Sequence, residues 1–316
     1  MIAVSVVIPI YNQAHLVGRT IEAIRANSLQ PIEVIIVDDG SSDDVRSIIL
    51  AYESLTAFPL RLLEVNHGGP GRARDAGWRE AIGEIVAFTD ADAVPDRHWL
   101  ENGVQAFSSP DVGAVEGAVE SGGGKPTIFT HQVRNRFGRQ FMTANMFYRR
   151  SVIAEVGGFK SPYREDSDLA FSVLDAGYEI VFVPTSVVIH PPRQENWRFY
   201  FAKANRKRFE GLLFRNHPET APQYIPRFQP TELLIITGEL LALLSVVWGS
   251  WSLAAGLLLL ALGMPKRLAD WLGDREYNSR EYLWAWLMTL ILVPVEAYYH
   301  WTGIIKPPAV HKDLRR

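Results

Sequence analysis

The 316-residue sequence contains no cysteine, which excludes disulfides, a thiolate metal site and a catalytic thiol. It also lacks a charge excess. Its 32 basic and 35 acidic residues leave a net charge of -3, too balanced for a nucleic-acid binder whose affinity comes from bulk charge. The 24 glycines and 19 prolines follow no collagen period, and an apolar fraction of 47% excludes a disordered chain. The opening Met1-Ile2-Ala3-Val4-Ser5-Val6-Val7-Ile8-Pro9 has neither a basic n-region nor a small-residue cleavage site, so it does not read as a secretory signal peptide. It reads as a buried, β-branched strand stopped by Pro9.

What is present changes character along the chain. Up to about residue 215, apolar runs alternate with helical periodicity: a helix over Gln13 to Ala26, a strand over Ile32 to Val37, a helix over 44–53, and a strand over Leu60 to Val65. A helix over Arg72 to Ile82 and a strand over Ile85 to Thr89 follow. This spacing predicts a mostly parallel, doubly wound α/β sheet with its ligand beyond the carboxyl ends of the strands. Two acidic clusters, Asp38-Asp39 and Asp90-Ala91-Asp92, fall at those ends.

Four prolines between His217 and Pro230 mark a linker. Thr231 to Gly263 is then almost wholly apolar apart from Glu232 and Glu239, and a second block runs from Tyr282 to Ile305 around Pro294 and Glu296. Roughly 20 apolar residues span a bilayer as a helix, so the first block is long for one crossing and short for two. Six of the nine tryptophans lie in this part, as in an interfacial aromatic belt. The expectation is a multi-pass membrane region of two or three helices with the preceding domain on the cytoplasmic side. Lys306, Lys312, Arg315 and Arg316 of the tail favour that orientation, and Lys266, Arg267, Arg275 and Arg280 between the blocks oppose it. Trp197 to Phe214 interleaves aromatic and basic residues and reads as a helix lying on anionic lipid heads. The organisation expected is 1–215 catalytic, with the basic helix over 195–215, then 216–230 linker, 231–305 transmembrane and 306–316 basic tail.

Several motifs carry chemistry. Asp38-Asp39-Gly40-Ser41 can accept a base N–H or ribose hydroxyls, although the same residues make an ordinary turn and helix cap. Asp90 and Asp92, one residue apart on a core strand, repel each other unless a cation neutralises them, and Mg²⁺ or Mn²⁺ takes such oxygens together with substrate phosphates. Asn66 to Gly77 holds Gly68, Gly69 and Gly71 ahead of Arg72 and Arg74, which can meet phosphate oxygens or pair with the acidic clusters. It is neither a Walker A loop nor a Gly-x-Gly-x-x-Gly turn. Glu165-Asp166-Ser167-Asp168 opens a helix, where carboxylates serve as caps or as a general base. His190, after the strand Ile180 to Val188, is a candidate for the diphosphate or the metal.

In order, Val6-Val7-Ile8-Pro9-Ile10-Tyr11-Asn12, Val37 to Asp43, Ala73-Arg74-Asp75-Ala76-Gly77, Thr89-Asp90-Ala91-Asp92 and Glu165 to Leu169 resemble family 2 glycosyltransferases. Asn145 to Arg150 and Gly157-Gly158-Phe159 resemble that family's acceptor-side segment. The resemblance covers roughly the first two-thirds of the chain. It implies a GT-A fold and inverting transfer of a hexose-type sugar from a nucleotide-sugar with Mg²⁺ or Mn²⁺. By position, Pro9, Tyr11 and Asp39 surround the nucleobase, with Asn12 and Arg74 also on the nucleotide-sugar. Asp90 faces the ribose or donor, Asp92 coordinates the metal on the diphosphate, and Asp166 is the base that deprotonates the acceptor. His190, read from its own place at a strand end, is a second candidate metal ligand. Asp75 departs from the family's usual asparagine, and the Gln-x-x-Arg-Trp motif of processive synthases is missing, which points to one sugar per event. The membrane segments suggest a lipid-linked or hydrophobic acceptor. The rival readings are a nucleotidyltransferase and a non-catalytic membrane scaffold that binds nucleotide-sugar.

Overall fold

The structure, a computed structural model, describes residues 2–123, 126–161, 163–227, 229–273, 277–306 and 308. Arg275 and the expected tail cations Lys312, Arg315 and Arg316 lie outside the described residues. The chain divides into two compact units. One comprises Met1–Gly122 and Gln132–Pro191, and the other Gly123–His131 and Pro192–Ala309.

In the first unit the alternation read from the sequence is realised as β1 (Val4–Ile10), α1 (Ala14–Arg25), β2 (Glu33–Asp38), α2 (Val45–Glu53), β3 (Leu60–Glu64), α3 (Pro70–Glu80) and β4 (Ile85–Phe88). Then follow β5 (Val94–Pro95), α4 (Trp99–Gln105), β6 (Val112–Ser121), β7 (Thr130–His131, in the second unit), β8 (Met146–Arg149), α5 (Arg150–Val156), α6 (Glu165–Asp175) and β9 (Glu179–His190). The sheet order is β3-β2-β1-β4-β8-β6-β9-β5. Pairings among β1 to β4 and between β6 and β9 are parallel, whereas β8 runs antiparallel to both β4 and β6. The sheet is therefore mixed, with its β1–β4 half all parallel. The face carrying Val6, Ile8 and Ile36 forms a core that is continuous through Trp99 to Phe147.

Pro9 does not stop β1, which continues to Ile10. The Ile85 N–H donates to the Ala3 carbonyl and the Thr89 N–H to that of Val7, so odd-numbered residues of β1 face β4. Since β4 ends at Phe88, opposite Val7, the nitrogen of Pro9 meets no ladder position and its missing N–H costs nothing.

At the far edge of the sheet from the acidic clusters, Glu33 ties three segments together. It accepts from Ser5 Oγ (2.6 Å), the Ile82 N–H (2.8 Å) and Arg61 Nη1 (2.7 Å), while the Gly83 N–H donates to Ser5 Oγ (2.8 Å). Burial pushes its carboxyl up, but Ser5, Ile82 and Arg61 outweigh burial and hold it below the ordinary 4.5. Its stabilising contribution is thus complete above that ordinary value and is lost as pH falls through the lowered one. Glu33→Ala is expected to destabilise the unit by about 2–3 kcal/mol at neutral pH, because it orphans buried donors. Urea denaturation should show that gap narrowing as pH falls below the ordinary carboxylate value.

The second unit holds a short ribbon of β7 with β10 (Arg193–Gln194), then α7 (Trp197–Arg206), a 3₁₀ turn Lys207–Phe209, α8 (Glu210–Asn216) and α9 (Ala221–Tyr224). It ends in α10 (Pro230–Trp248), α11 (Ser250–Leu272) and α12 (Ser279–Ile305), all three long and apolar enough to cross a membrane. The first apolar block, read as a single stretch, is two helices folded at Gly249, whose φ of 79° with ψ of -166° only glycine adopts readily. The second compact unit begins at Pro192, so α7 and α8 belong to it, and Ala204 packs with Met288 and Leu292 of α12.

Candidate active site

The loops after β1, β2, β3 and β4 meet at one edge of the sheet, and side chains of the motifs stitch them together. Asn12, at φ 52°, accepts from the Ser42 N–H (2.7 Å), while its own N–H donates to Ser41 Oγ (2.9 Å). The Ala14 N–H donates to Asp43 Oδ2 at 2.8 Å. Asp39 is buried, and its two oxygens accept from the Gly68 and Gly69 N–H groups, each at 2.8 Å. His67 Nδ1 lies 3.0 Å from Asp39 Oδ2, and its ring stacks on Tyr11 with centroids 4.3 Å apart. Tyr11 is exposed and Pro9 buried, so the open surface here is the Tyr11–His67 stack above Asp39. A carboxylate oxygen that takes one N–H keeps a second lone pair, so Asp39 can hold this turn and still accept from a ligand.

Asp90, Asp92 and His190 converge at the ends of β4 and β9. His190 Nε2 lies 3.6 Å from Asp90 Oδ2 and 3.5 Å from Asp92 Oδ1, and one ligand atom from each residue falls within 4.8 Å of the others. Arg74, expected on the nucleotide-sugar, instead directs Nη2 at Asp90 Oδ1 (2.7 Å) and Nη1 at Glu165 Oε1 (3.0 Å). Of the two roles open to it, the structure shows the ion pair, and it brings the α6 carboxylates within one guanidinium of the β4 cluster. Burial alone would raise the Asp90 carboxyl, but Arg74 and then His190 overcome it and hold Asp90 well below the carboxylate range. Burial, reinforced by Asp166, raises the Glu165 carboxyl despite Arg74. Asp166, half-buried in the first turn of α6, accepts the Ser167 N–H on Oδ1 at 2.7 Å. The preceding residue, Arg164, sits at φ 59°, an uncommon conformation for a residue with a side chain.

Two oxygen donors and one imidazole nitrogen, drawn from β4 and β9, suit a divalent cation that also keeps positions for phosphate oxygens.

Asp75 has a structural task. Its Oδ1 accepts from Trp78 Nε1 (2.7 Å) and from the Phe159 N–H (3.1 Å), and its Oδ2 from Arg79 Nε (2.9 Å), which ties α3 to the turn after α5. An asparagine keeps both Oδ1 bonds. Asp75→Asn should therefore leave activity intact and cost at most about 1 kcal/mol, whereas Asp75→Ala should cost about 2–3 kcal/mol. Thermal denaturation of both variants checks this.

Sequence reasoning missed Glu116. This buried carboxylate in the middle of β6 accepts from Asn135 Nδ2 (2.7 Å) and from the N–H groups of Arg139 (2.7 Å), Gln140 (2.9 Å) and Phe141 (2.6 Å). Arg139 and Phe141 both have positive φ, so a single carboxylate holds a strained strap that leads into β8. The signal was available: a charged residue inside the apolar run Val112 to Val119 needs buried donors.

A mixed α/β sheet with a carboxylate pair at the end of its fourth strand, joined through Arg74 to a second acidic segment, has the layout of the GT-A fold. The profile of Glycosyl transferase family 2 matches residues 5–169, just over half of the chain, and the chain belongs to that family. It is 32% identical over 208 residues to glycosyltransferase AglE of Haloferax volcanii, covering 60% of this chain and 67% of that protein. It is 28% identical to the pre-mycofactocin glycosyltransferase of Mycobacterium tuberculosis over 350 aligned positions, covering 99% of this chain and 68% of the relative. Among solved structures, the mannosyltransferase PcManGT from Pyrobaculum calidifontis, in complex with GDP-Man and Mn²⁺, shares the fold. Its TM-score is 0.66 at 22% identity, over 95% of this chain and 87% of that one.

Proposed function

We infer that the protein is a metal-dependent, inverting glycosyltransferase that moves one sugar from a nucleotide-sugar to a hydrophobic, lipid-linked acceptor at the cytoplasmic face of a membrane. The observation that carries this reading is the Asp90–Asp92–His190 cluster, joined through Arg74 to the segment bearing Asp166. Residues 1–215 would carry catalysis and residues 231–305 the membrane anchor, joined by 216–230.

Asp92 and His190, with Asp90 beside them, would hold Mn²⁺ or Mg²⁺. When bound, the cation neutralises the donor diphosphate and favours its departure. Arg74 keeps Asp90 ionised for this task. Asp39 and the Tyr11–His67 stack offer an acceptor and an aromatic face for the base, and Asn12 fixes the loop that carries Tyr11. Asp166 removes the proton from the acceptor hydroxyl, which attacks the anomeric carbon opposite the leaving diphosphate and inverts its configuration. The GDP-Man and Mn²⁺ held by PcManGT support trying a guanosine donor first.

Donor hydrolysis and thermal shift on detergent-purified protein, across a panel of nucleotide-sugars with and without Mn²⁺, test the reading. One nucleotide should raise the melting temperature in a metal-dependent manner and be hydrolysed slowly. Stabilisation by none of them, with the protein folded, would favour a scaffold instead.

A further inference from the structure

Three helices of the second unit are apolar enough to span a bilayer, yet one of them has a companion that is not. α7, the 3₁₀ turn and α8 form an almost unbroken rod from Trp197 to Asn216. This rod runs beside α12, in the same direction, along most of its length. The Tyr200 ring lies 6.3 Å from Trp284, and Ala204 packs with Met288 and Leu292. Lys207 Nζ is 2.9 Å from Glu296, and Glu210 Oε2 is 2.8 Å from His300 Nδ1. At the end, a Cβ on Gly211 would run into the Gly303 carbonyl, so the two backbones touch. From Trp284 to Gly303 this companionship extends roughly 28 Å at the rise of an α-helix.

Whatever depth α12 takes in a membrane, the rod must share it. Arg198, Lys203, Arg206, Arg208 and Arg215 are exposed along the rod from its first turn to its last, so no orientation that carries α12 through hydrocarbon spares them. α12 also presents an exposed apolar face through Leu283, Trp286, Leu287, Ile291, Tyr298 and Ile305. A helix pair with cations on one member and an apolar face on the other fits the boundary between headgroups and acyl chains.

The α10–α11 hairpin differs. No charged residue lies between Glu239 and Lys266, and Trp248 and Trp251 flank its turn at Gly249. Its contacts with α12 gather at its base, where Ile235, Met264 and Leu268 share a core with Ala285 and Val293 and where Arg267 meets Glu296 at 2.6 Å.

We propose that α12 does not cross the bilayer. It lies in the plane of an anionic lipid surface beside the α7–α8 rod, and only the α10–α11 hairpin enters and returns. Both ends of α12 are then on the same side, whereas hydropathy makes α12 a crossing helix. The proposal rests on the membrane reading above.

The chain's lack of cysteine makes the test clean. Arg208→Cys, Ser279→Cys and Lys306→Cys are placed singly at exposed positions of the full chain. After expression in bacteria, each is probed with a membrane-impermeant maleimide in sealed inverted vesicles and in intact spheroplasts. All three should react in one preparation, with complete loss of labelling in the other until detergent is added. Reaction of Ser279→Cys and Lys306→Cys in opposite preparations would overturn the in-plane helix while leaving the membrane reading intact. Failure of the protein to float with the vesicles would overturn both.

Discussion

Asp92→Asn should lower the rate of sugar transfer by about three orders of magnitude, the several kcal/mol that a metal clamp supplies to a departing diphosphate. Asp92 is buried and faces His190, so the substitution keeps the shape and removes the charge. Folding should survive, because among the described contacts the carboxylate of Asp92 meets only His190, while the lattice of bonds around Arg74 reaches Asp90 and Glu165 instead. The loss should appear in metal-dependent donor binding as well as in turnover, which steady-state kinetics over a range of Mn²⁺ concentrations can separate.

The second large effect is expected at Asp166. Asp166→Asn should reduce kcat by about 10²–10⁴-fold, the usual contribution of a positioned general base. Metal-dependent donor binding should remain, since Asp166 meets neither the cluster at the end of β4 nor Arg74 by a described hydrogen bond; it is fixed by the Ser167 N–H. The two variants thus separate the halves of the site. One loses donor and turnover together, the other turnover alone. Equal loss of donor binding in both would show that Asp166 helps to build the donor pocket rather than deprotonating the acceptor.

Much of the fold was legible because alternating apolar runs have only a few ways of burying themselves. The strands over 32–37 and 60–65 and the helix between them fall within one or two residues of the observed β2, α2 and β3. Pro9 misled because a missing N–H matters only where a neighbouring strand would have used it, and the length of β4 cannot be read from β1. The apolar block from Thr231 also resisted reading by length alone, since its division depends on the backbone conformation at Gly249.

The site was legible in its parts but not in its wiring. Asp90, Asp92 and His190 were each singled out, and the folding of β9 beside β6 carries His190 to the β4 cluster. Arg74 admitted two roles because its partners, Asp90 and Glu165, lie far apart in the sequence. Glu116 stayed hidden for a related reason. Its partners are mostly backbone N–H groups of a strained strap, and such groups leave no trace in residue type.

The central claim is that this acidic cluster binds a nucleoside diphosphate through a divalent cation. Calorimetric titration of the purified protein with GDP and with UDP, in Mn²⁺ and again in chelator, tests it most directly. The account predicts that one diphosphate binds only with the metal present, and that Asp92→Asn abolishes that binding. Binding that survives both the chelator and Asp92→Asn, or no binding of either diphosphate by folded protein, would contradict it.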